Sequence, residues 1–202
     1  MSSTDHQEEE IKLTFIEQDG IERLMDYLGE PERILKQTNT YYDTPTLGLR
    51  QERVMLRVRK ENDDLVITAK SRAKLQRGGL RAREVEYRVD LQEGMECLGR
   101  GLHAWEIPPV THALSFLSNP EPFAPLGSTD NIRVCYPWRG GTLELDRTFL
   151  PDGTEHTELE FETPCLEEEL SRLQSLLQSL QIPFTDEVIP KYVRFLQALE
   201  PG

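Results

Sequence analysis

The 202-residue sequence predicts an α+β fold of about eight strands with helices inserted among them. Three observations predict it. Charged and apolar residues alternate with a period of two in segment after segment. Apolar residues recur at helical spacing between and after those segments. Turn-forming clusters such as ENDD, RGG and LPDG separate the alternating runs.

Each element can be justified in order along the chain. Residues 1–6 read as a short disordered tail, and 7–15 as the first strand. Ile21, Leu24, Met25 and Leu28 fall at helical spacing, and Gly29 with Pro31 ends that helix. QTNTYYD at 37–43, rich in Thr and Tyr, reads as a strand, followed by the loop TPTLGL. In RVMLRVRK, Val54, Leu56 and Val58 take one face while Met55, Arg57 and Arg59 take the other. LVITAK then returns as the partner strand of a hairpin, with Lys70 on the face of Thr68 and Val66. Residues 71–80 read as a loop around Gly78 and Gly79. Across 82–90, Val85, Tyr87 and Val89 oppose Glu84, Glu86 and Arg88.

Residues 91–118 carry helical spacing through Met95, Leu98 and Leu102, then Val110, Leu114 and Leu117, with breaks expected at Pro108 and Pro109. NPEPFAPLGS reads as a loop. A strand resumes near 131–136 with Arg133 at its middle. In TLELDR, Leu143 and Leu145 oppose Glu144 and Asp146. In HTELEFE, Glu158, Glu160 and Glu162 oppose Leu159 and Phe161. Leu166, Leu170, Leu173, Leu177 and Leu180 mark an amphipathic helix, and Pro190 opens a last one. The chain shows no repeats, linkers or low-complexity tracts, so a single domain over 7–200 is expected.

An open sheet could turn the charged faces to water, and a closed barrel could turn them inward. The signs favour the lumen. Acidic strands (the first, 142–146 and 157–162) contrast with basic ones (53–60, 65–70 and 131–136), whereas a solvated face would mix signs along each strand.

Thirty-six acids against 23 bases give a net charge of −13. That balance argues against nucleic acid or an anionic membrane as the main partner. No apolar run approaches bilayer length, and the N-terminus carries no signal-type apolar region. Cys97, Cys135 and Cys165 are odd in number and lack C-x-x-C spacing, which suits reduced thiols and a cytoplasmic location. His6, His103, His112 and His156 are scattered without zinc-type spacing, and read as surface or packing residues. The bases are concentrated: residues 50–88 hold twelve of them against six acids, which calls for a local anionic ligand or a local acidic partner.

The most informative motif is E-x-E-x-K at Glu8, Glu10 and Lys12. Side chains at alternate strand positions share a face about 6.7 Å apart. Here that face carries two carboxylates and an ammonium, while Ile11, Leu13 and Phe15 lie opposite. Paired carboxylates suit a hard divalent cation, and the adjacent lysine suits an anion that arrives with it. Arg57 and Arg59, two apart on an otherwise apolar strand, share one face.

These residues together resemble the CYTH family, the triphosphate tunnel metalloenzymes, which includes thiamine triphosphatases, inorganic triphosphatases and class IV adenylate cyclases. The likeness runs from about Gln7 to Leu199. It is carried by E-x-E-x-K, by YYDTPTLGL followed by LRVRK, and by TAK with Lys70. REVEY with Glu84 and Glu86, Arg133, the LELD strand with Asp146, TELEFE with Glu158 and Glu160, and Lys191 complete the order. The resemblance implies an eight-stranded antiparallel closed barrel, a tunnel, with helices packed outside. It also implies a lumen that binds a small-molecule triphosphate with Mg²⁺ or Mn²⁺.

By that resemblance, Glu8, Glu10, Asp146, Glu158 and Glu160 form the metal set, and Glu8, Glu10, Lys12, Glu158 and Glu160 the catalytic set. Lys12, Arg57, Arg59, Lys70, Arg133 and Lys191 bind substrate, with Glu84 and Glu86 orienting the cations. Tyr41 is a further hydrogen-bond donor on the face of Asn39 and Asp43. Two departures stand out. Ala82 occupies the position two before E-x-E where relatives carry an arginine, and Asn131 a position where some carry a lysine. The expected activity is hydrolysis of inorganic tripolyphosphate to diphosphate and phosphate. Thiamine triphosphatase, with Trp105, Trp138 or Tyr136 stacking on the organic group, adenylate cyclase and a polyphosphate-binding module are the alternatives. A monomer or homodimer is expected.

Overall fold

Alternation becomes strand along most of the chain. The computed structural model describes residues 1–119 and 121–199. Pro120 of the expected loop and Glu200 at the end of the expected domain lie outside the described residues. The elements run β1 (Ser2–Phe15), α1 (Gly20–Leu28), β2 (Arg33–Asp43), α2 (Gly48–Gln51), β3 (Met55–Glu61), β4 (Asp64–Gln76) and β5 (Gly79–Asp90). They continue through α3 (Leu91–Gly99), α4 (Pro108–Leu114), β6 (Ala124–Trp138), β7 (Gly141–Phe149), β8 (Glu155–Glu162), α5 (Leu166–Ser179), β9 (Phe184–Thr185) and α6 (Lys191–Leu199).

The strands are hydrogen-bonded in the order β5-β4-β3-β2-β6-β7-β8-β1-β9, and β5 also pairs with β1. That last pairing closes eight strands into an antiparallel barrel and decides between the open and closed alternatives. Both faces of the strands are buried over much of their length as a result. In β1, Ile11 and Leu13 are fully buried on one face, yet Glu10 and Lys12 on the other are only 6% and 8% exposed. An open sheet would have left the second face in water.

The residues group into two compact units, each with its own apolar cluster. The first comprises Met1–Gln7, Gln37–Ala73 and Ala82–Asp130. In it, Leu56 and Val58 of β3, Leu65 and Ile67 of β4 and Val89 of β5 pack with Leu49 of α2 and Val110 and Ala113 of α4. The second comprises Glu8–Lys36, Lys74–Arg81 and Asn131–Gly202. There, Ile11, Leu13, Leu143, Leu145, Leu159 and Phe161 meet Ile21 and Leu24 of α1 and Leu166, Leu173 and Leu177 of α5. Full burial of each such Leu or Ile contributes about 1.5–3 kcal/mol.

Local chemistry fixes the joints. The Asp90 carboxylate caps α3 by accepting from the amides of Gln92 and Glu93. Asp43, fully buried, accepts from the amides of Thr44, Leu49 and Arg50 at 2.7, 2.8 and 2.9 Å. It thereby ties the TPTLGL turn onto the end of β2.

Several elements differ from the sequence reading. Residues 2–6 extend β1 instead of forming a loose tail. They are held by Arg83, which forks onto Asp5 at 2.8 and 3.0 Å, and by Ser3, which donates to the Glu86 carbonyl. The expected loop over 71–80 is largely strand, because β4 runs to Gln76 and β5 starts at Gly79. Residues Arg72–Gln76 are exposed on both sides, so no apolar alternation marks them. Gly78 makes the turn at φ +67°, and its amide donates to the Asp186 carbonyl at 2.7 Å. Pro108 and Pro109 open α4 instead of breaking a helix, the position where a missing N–H costs least. β6 begins at Ala124, inside the expected NPEPFAPLGS loop. β9 is too short to leave a pattern.

Candidate active site

Two polar clusters lie on the charged strand faces, one in each unit. The acidic cluster belongs to the second unit. Register brings it together: β7 and β8 pair Glu144 with Glu160 and Asp146 with Glu158, while β1 and β8 pair Lys12 with Glu160. Asp146, Glu158 and Glu160 are all buried, and each offers a carboxylate oxygen within 4.8 Å of the others. Glu8 and Glu10 are buried on the matching face of β1.

Three cations meet these carboxylates. Lys12 pairs with Glu160, with Glu10 at 3.3 Å and with Glu158 at 3.9 Å. Arg133 donates two bonds to Asp146, at 2.8 and 2.6 Å, and one to Glu160 at 2.5 Å, and pairs with Glu144. Lys191, the first residue of α6, pairs with Asp146, with Glu158 at 2.7 Å and with Glu160 at 3.0 Å. Asn131 donates to Asp146 at 2.9 Å and accepts from Thr148 at 2.8 Å.

Electrostatics keeps Asp146, Glu158, Arg133 and Lys191 charged. Burial pushes the Asp146 carboxyl up, but the Arg133 and Lys191 charges outweigh it and hold the group well below the ordinary carboxylate range. Glu158 is held low in the same way, against burial, by Lys191 and Lys12, with the His156 ring 3.4 Å away. Burial works against the Arg133 and Lys191 charges, and their carboxylate partners raise both groups above their usual values.

The basic cluster belongs to the first unit. Arg57, 8% exposed, donates to Thr68 Oγ1 at 3.1 Å, and its Nε is buried with no hydrogen-bond partner. Arg59 donates to Asn39 at 2.8 Å and lies 3.9 Å from Glu61. Lys70 pairs with Glu84 at 2.8 Å. Burial raises the Glu84 carboxyl, but Lys70 reverses this with help from Arg57 and His6, to about 2. Glu61 is occupied by Gln37 at 2.7 Å and Arg88 at 3.0 Å, and Arg88 also reaches Asp64. Tyr41 is buried opposite Arg57 in the β2–β3 register.

The structure thus brings Glu10, Lys12, Arg133, Asp146, Glu158, Glu160 and Lys191 into one ion-pair network, with Glu8 buried on the same strand. It places Arg57, Arg59, Lys70 and Glu84 together in the other cluster, with Glu86 on the alternate position of β5. Arg81 and Arg83, flanking the buried Ala82, reach other partners: Arg81 pairs with Glu9 at 2.5 Å and Arg83 with Asp5. The aromatic residues considered for stacking are occupied by packing. Trp105 meets Tyr87 edge-on at 5.9 Å, and Tyr136 and Trp138 pack in the apolar cluster of the second unit. Glu144 and His156 were missed as site residues. Alternation puts His156 on the face of Glu158, and its Nε2 lies 3.4 Å from that carboxylate, so the signal was present in the sequence.

The CYTH domain profile matches residues 6–188, and the chain belongs to the CYTH domain family. Comparison with curated protein sequences gave no match. Among solved structures, the chain resembles HpAC1 from Hippeastrum, a candidate adenylyl cyclase with a dominant triphosphatase activity. The TM-score is 0.87 and the identity 27%, over 94% of this chain and 95% of that one. It also resembles an adenylate cyclase candidate from Bacillus halodurans, with a TM-score of 0.72 and 25% identity over 94% and 98% of the two chains. A Vibrio parahaemolyticus protein shares the fold at 17% identity and a TM-score of 0.60, over 95% and 98%. Among the described residues, no helix is long and apolar enough to cross a membrane.

Proposed function

We propose that this chain is a divalent-metal-dependent hydrolase of a triphosphate, with inorganic tripolyphosphate as the first substrate to test. The reading is carried by the convergence of Asp146, Glu158 and Glu160 within 4.8 Å on the charged face of a closed barrel. Family membership and the triphosphatase activity of the Hippeastrum relative support it.

The donor set fits a hard cation. It is all oxygen, Asp146, Glu158 and Glu160 are buried, and the carboxylates of Glu8, Glu10, Glu144, Asp146, Glu158 and Glu160 outnumber Lys12, Arg133 and Lys191. Asp146, Glu158 and Glu160 would hold Mg²⁺ or Mn²⁺, with Glu8 and Glu10 adding negative charge. When bound, such an ion supplies charge neutralisation at phosphate oxygens and acidifies a water.

The chain's own residues do the rest. Arg133 holds Asp146 in place and ionised through two-pronged bonding and adds one bond to Glu160. Arg57 and Arg59 grip phosphate oxygens as fixed forks, and the unpartnered Nε of Arg57 is a buried donor ready for one. Lys70, aimed by Glu84, adds a point charge. In hydrolysis, water oxygen bonds to the terminal phosphorus, the bridging P–O bond breaks, and diphosphate leaves. Positioning and charge stabilisation supply most of the acceleration.

Adenylate cyclase is the second reading, favoured by the descriptions of the Hippeastrum and Bacillus halodurans relatives. A dedicated thiamine triphosphatase lacks an aromatic platform among the described residues considered for it, since Trp105, Trp138 and Tyr136 are taken up by packing. The test is phosphate release with Mg²⁺ or Mn²⁺ from tripolyphosphate, thiamine triphosphate and ATP, with cyclic AMP measured alongside. Rapid release from tripolyphosphate supports the proposal. Cyclic AMP as the main product favours the lyase. Binding without turnover would leave a polyphosphate-binding module.

A further inference from the structure

We infer that Lys191 is a displaceable stopper of the cation position formed by Asp146, Glu158 and Glu160, so that metal and ammonium compete for one place. This rests on the proposed reading of that cluster as the metal site. The ammonium touches one oxygen of each of the three carboxylates: Asp146 Oδ2, Glu158 Oε1 at 2.7 Å and Glu160 Oε1 at 3.0 Å. Those three side chains are the set that could close around an ion. Mg²⁺ would sit about 2.0–2.1 Å from such oxygens. Two cations cannot share that volume, so a bound metal requires the ammonium to leave.

Lys191 is built to leave, and Lys12 is not. Lys12 lies inside β1, its amide donating to the Gly78 carbonyl at 3.0 Å and its backbone in register with Glu160. Lys191 begins α6 after residues 186–190, which carry no regular structure. The helix is anchored further along, by Phe195 and Ala198. A four-carbon stem can therefore swing away while the helix stays packed.

The energetic consequence is coupling. Metal alone must evict an ammonium held by three carboxylates. A triphosphate offers that ammonium new anionic oxygens and removes the obstacle. Metal and triphosphate should each tighten the other, as linkage requires, and part of that cooperation should run through Lys191.

The test is Mn²⁺ binding to the full chain, followed by electron paramagnetic resonance, with and without imidotriphosphate as a slowly hydrolysed triphosphate. The proteins are wild type, Lys191→Met, Lys191→Gln, Lys191→Arg, Arg172→Ala and Glu158→Gln. The two neutral variants guard against one failing to fold, which thermal melts would show. Without triphosphate, Lys191→Met and Lys191→Gln should bind Mn²⁺ about tenfold more tightly than wild type. Their gain on adding imidotriphosphate should shrink correspondingly. Lys191→Arg should stay near wild type, and so should Arg172→Ala, which removes a charge of α5 that pairs with Glu168 and Glu169. Equal Mn²⁺ affinity in wild type and the neutral variants, with binding lost in Glu158→Gln, would overturn the stopper and leave the metal site standing. No Mn²⁺ binding to any of the proteins would overturn both.

Discussion

The two polar clusters solve the problem of buried charge in opposite ways. In the second unit, Lys12, Arg133 and Lys191 are each bound to several carboxylates, so the cations are spent on holding acids in place. In the first unit, Arg57 donates to a neutral oxygen, Thr68 Oγ1, and keeps a buried Nε without a hydrogen-bond partner, while Arg59 donates to Asn39 Oδ1 and lies 3.9 Å from Glu61. Lys70 pairs with Glu84 at 2.8 Å. A guanidinium on neutral partners keeps its charge for a ligand, whereas one locked to carboxylates does not. The contrast fits the proposed division of labour, in which Arg57 is offered to an anion and the second cluster, with more acids than bases, to a cation.

Substitutions can break or sharpen this contrast. The largest effect is expected from Glu158→Gln, which removes a carboxylate from the acid-rich set at constant shape. Metal-dependent phosphate release should fall about a hundredfold or more, with the circular dichroism spectrum retained. Full activity would remove Glu158 from the ligand set. Arg57→Ala should lower kcat/KM about tenfold to a hundredfold, the range for a hydrogen bond to a charged group. Unchanged steady-state kinetics would place that side chain away from the phosphates.

Asp43→Ala addresses the scaffold beside the basic cluster. It strips the acceptor from three amides and should cost about 3 kcal/mol in urea unfolding. Stability equal to wild type would show that the turn is held by something else. The Glu84–Lys70 pair predicts an acid limb. The Glu84 carboxyl is depressed from its ordinary value of 4.5 to about 2. Its contribution is fully present above the unfolded-state value and is lost as pH falls through about 2. Urea midpoints of wild type and Glu84→Gln should therefore converge as pH drops from 6 towards 2, and a constant gap would contradict the assignment. The smallest effect belongs to Arg81→Ala. Arg81 is half exposed and pairs with Glu9, so stability should change by about 0.5 kcal/mol or less, and kcat/KM should be unchanged.

Much of this arrangement was legible in the sequence, for a physical reason. A barrel buries both faces of its strands, so residues at every second position of β1, β3, β7 and β8 must be charged and paired or apolar and packed. That constraint left Glu8, Glu10, Lys12, Arg57, Arg59, Asp146, Glu158 and Glu160 visible as alternation. What escaped was the set of features that periodicity does not encode. His156 sits on the right face but looks like any isolated histidine. Residues 2–6 are held by Arg83 and the Glu86 carbonyl, partners far away in sequence. Arg72–Gln76 form strand with neither side buried, so no pattern reveals them. The meeting of Lys191 with Asp146, Glu158 and Glu160 depends on where α6 docks, which no local spacing specifies.

The central claim is tested most directly by a crystal of the protein grown with Mn²⁺ and imidotriphosphate, read by anomalous scattering at the manganese edge. The account predicts a peak directly coordinated by carboxylate oxygens of Asp146, Glu158 and Glu160, with phosphate oxygens completing its shell. A peak bound elsewhere, or triphosphate held with no metal at those three side chains, would contradict it.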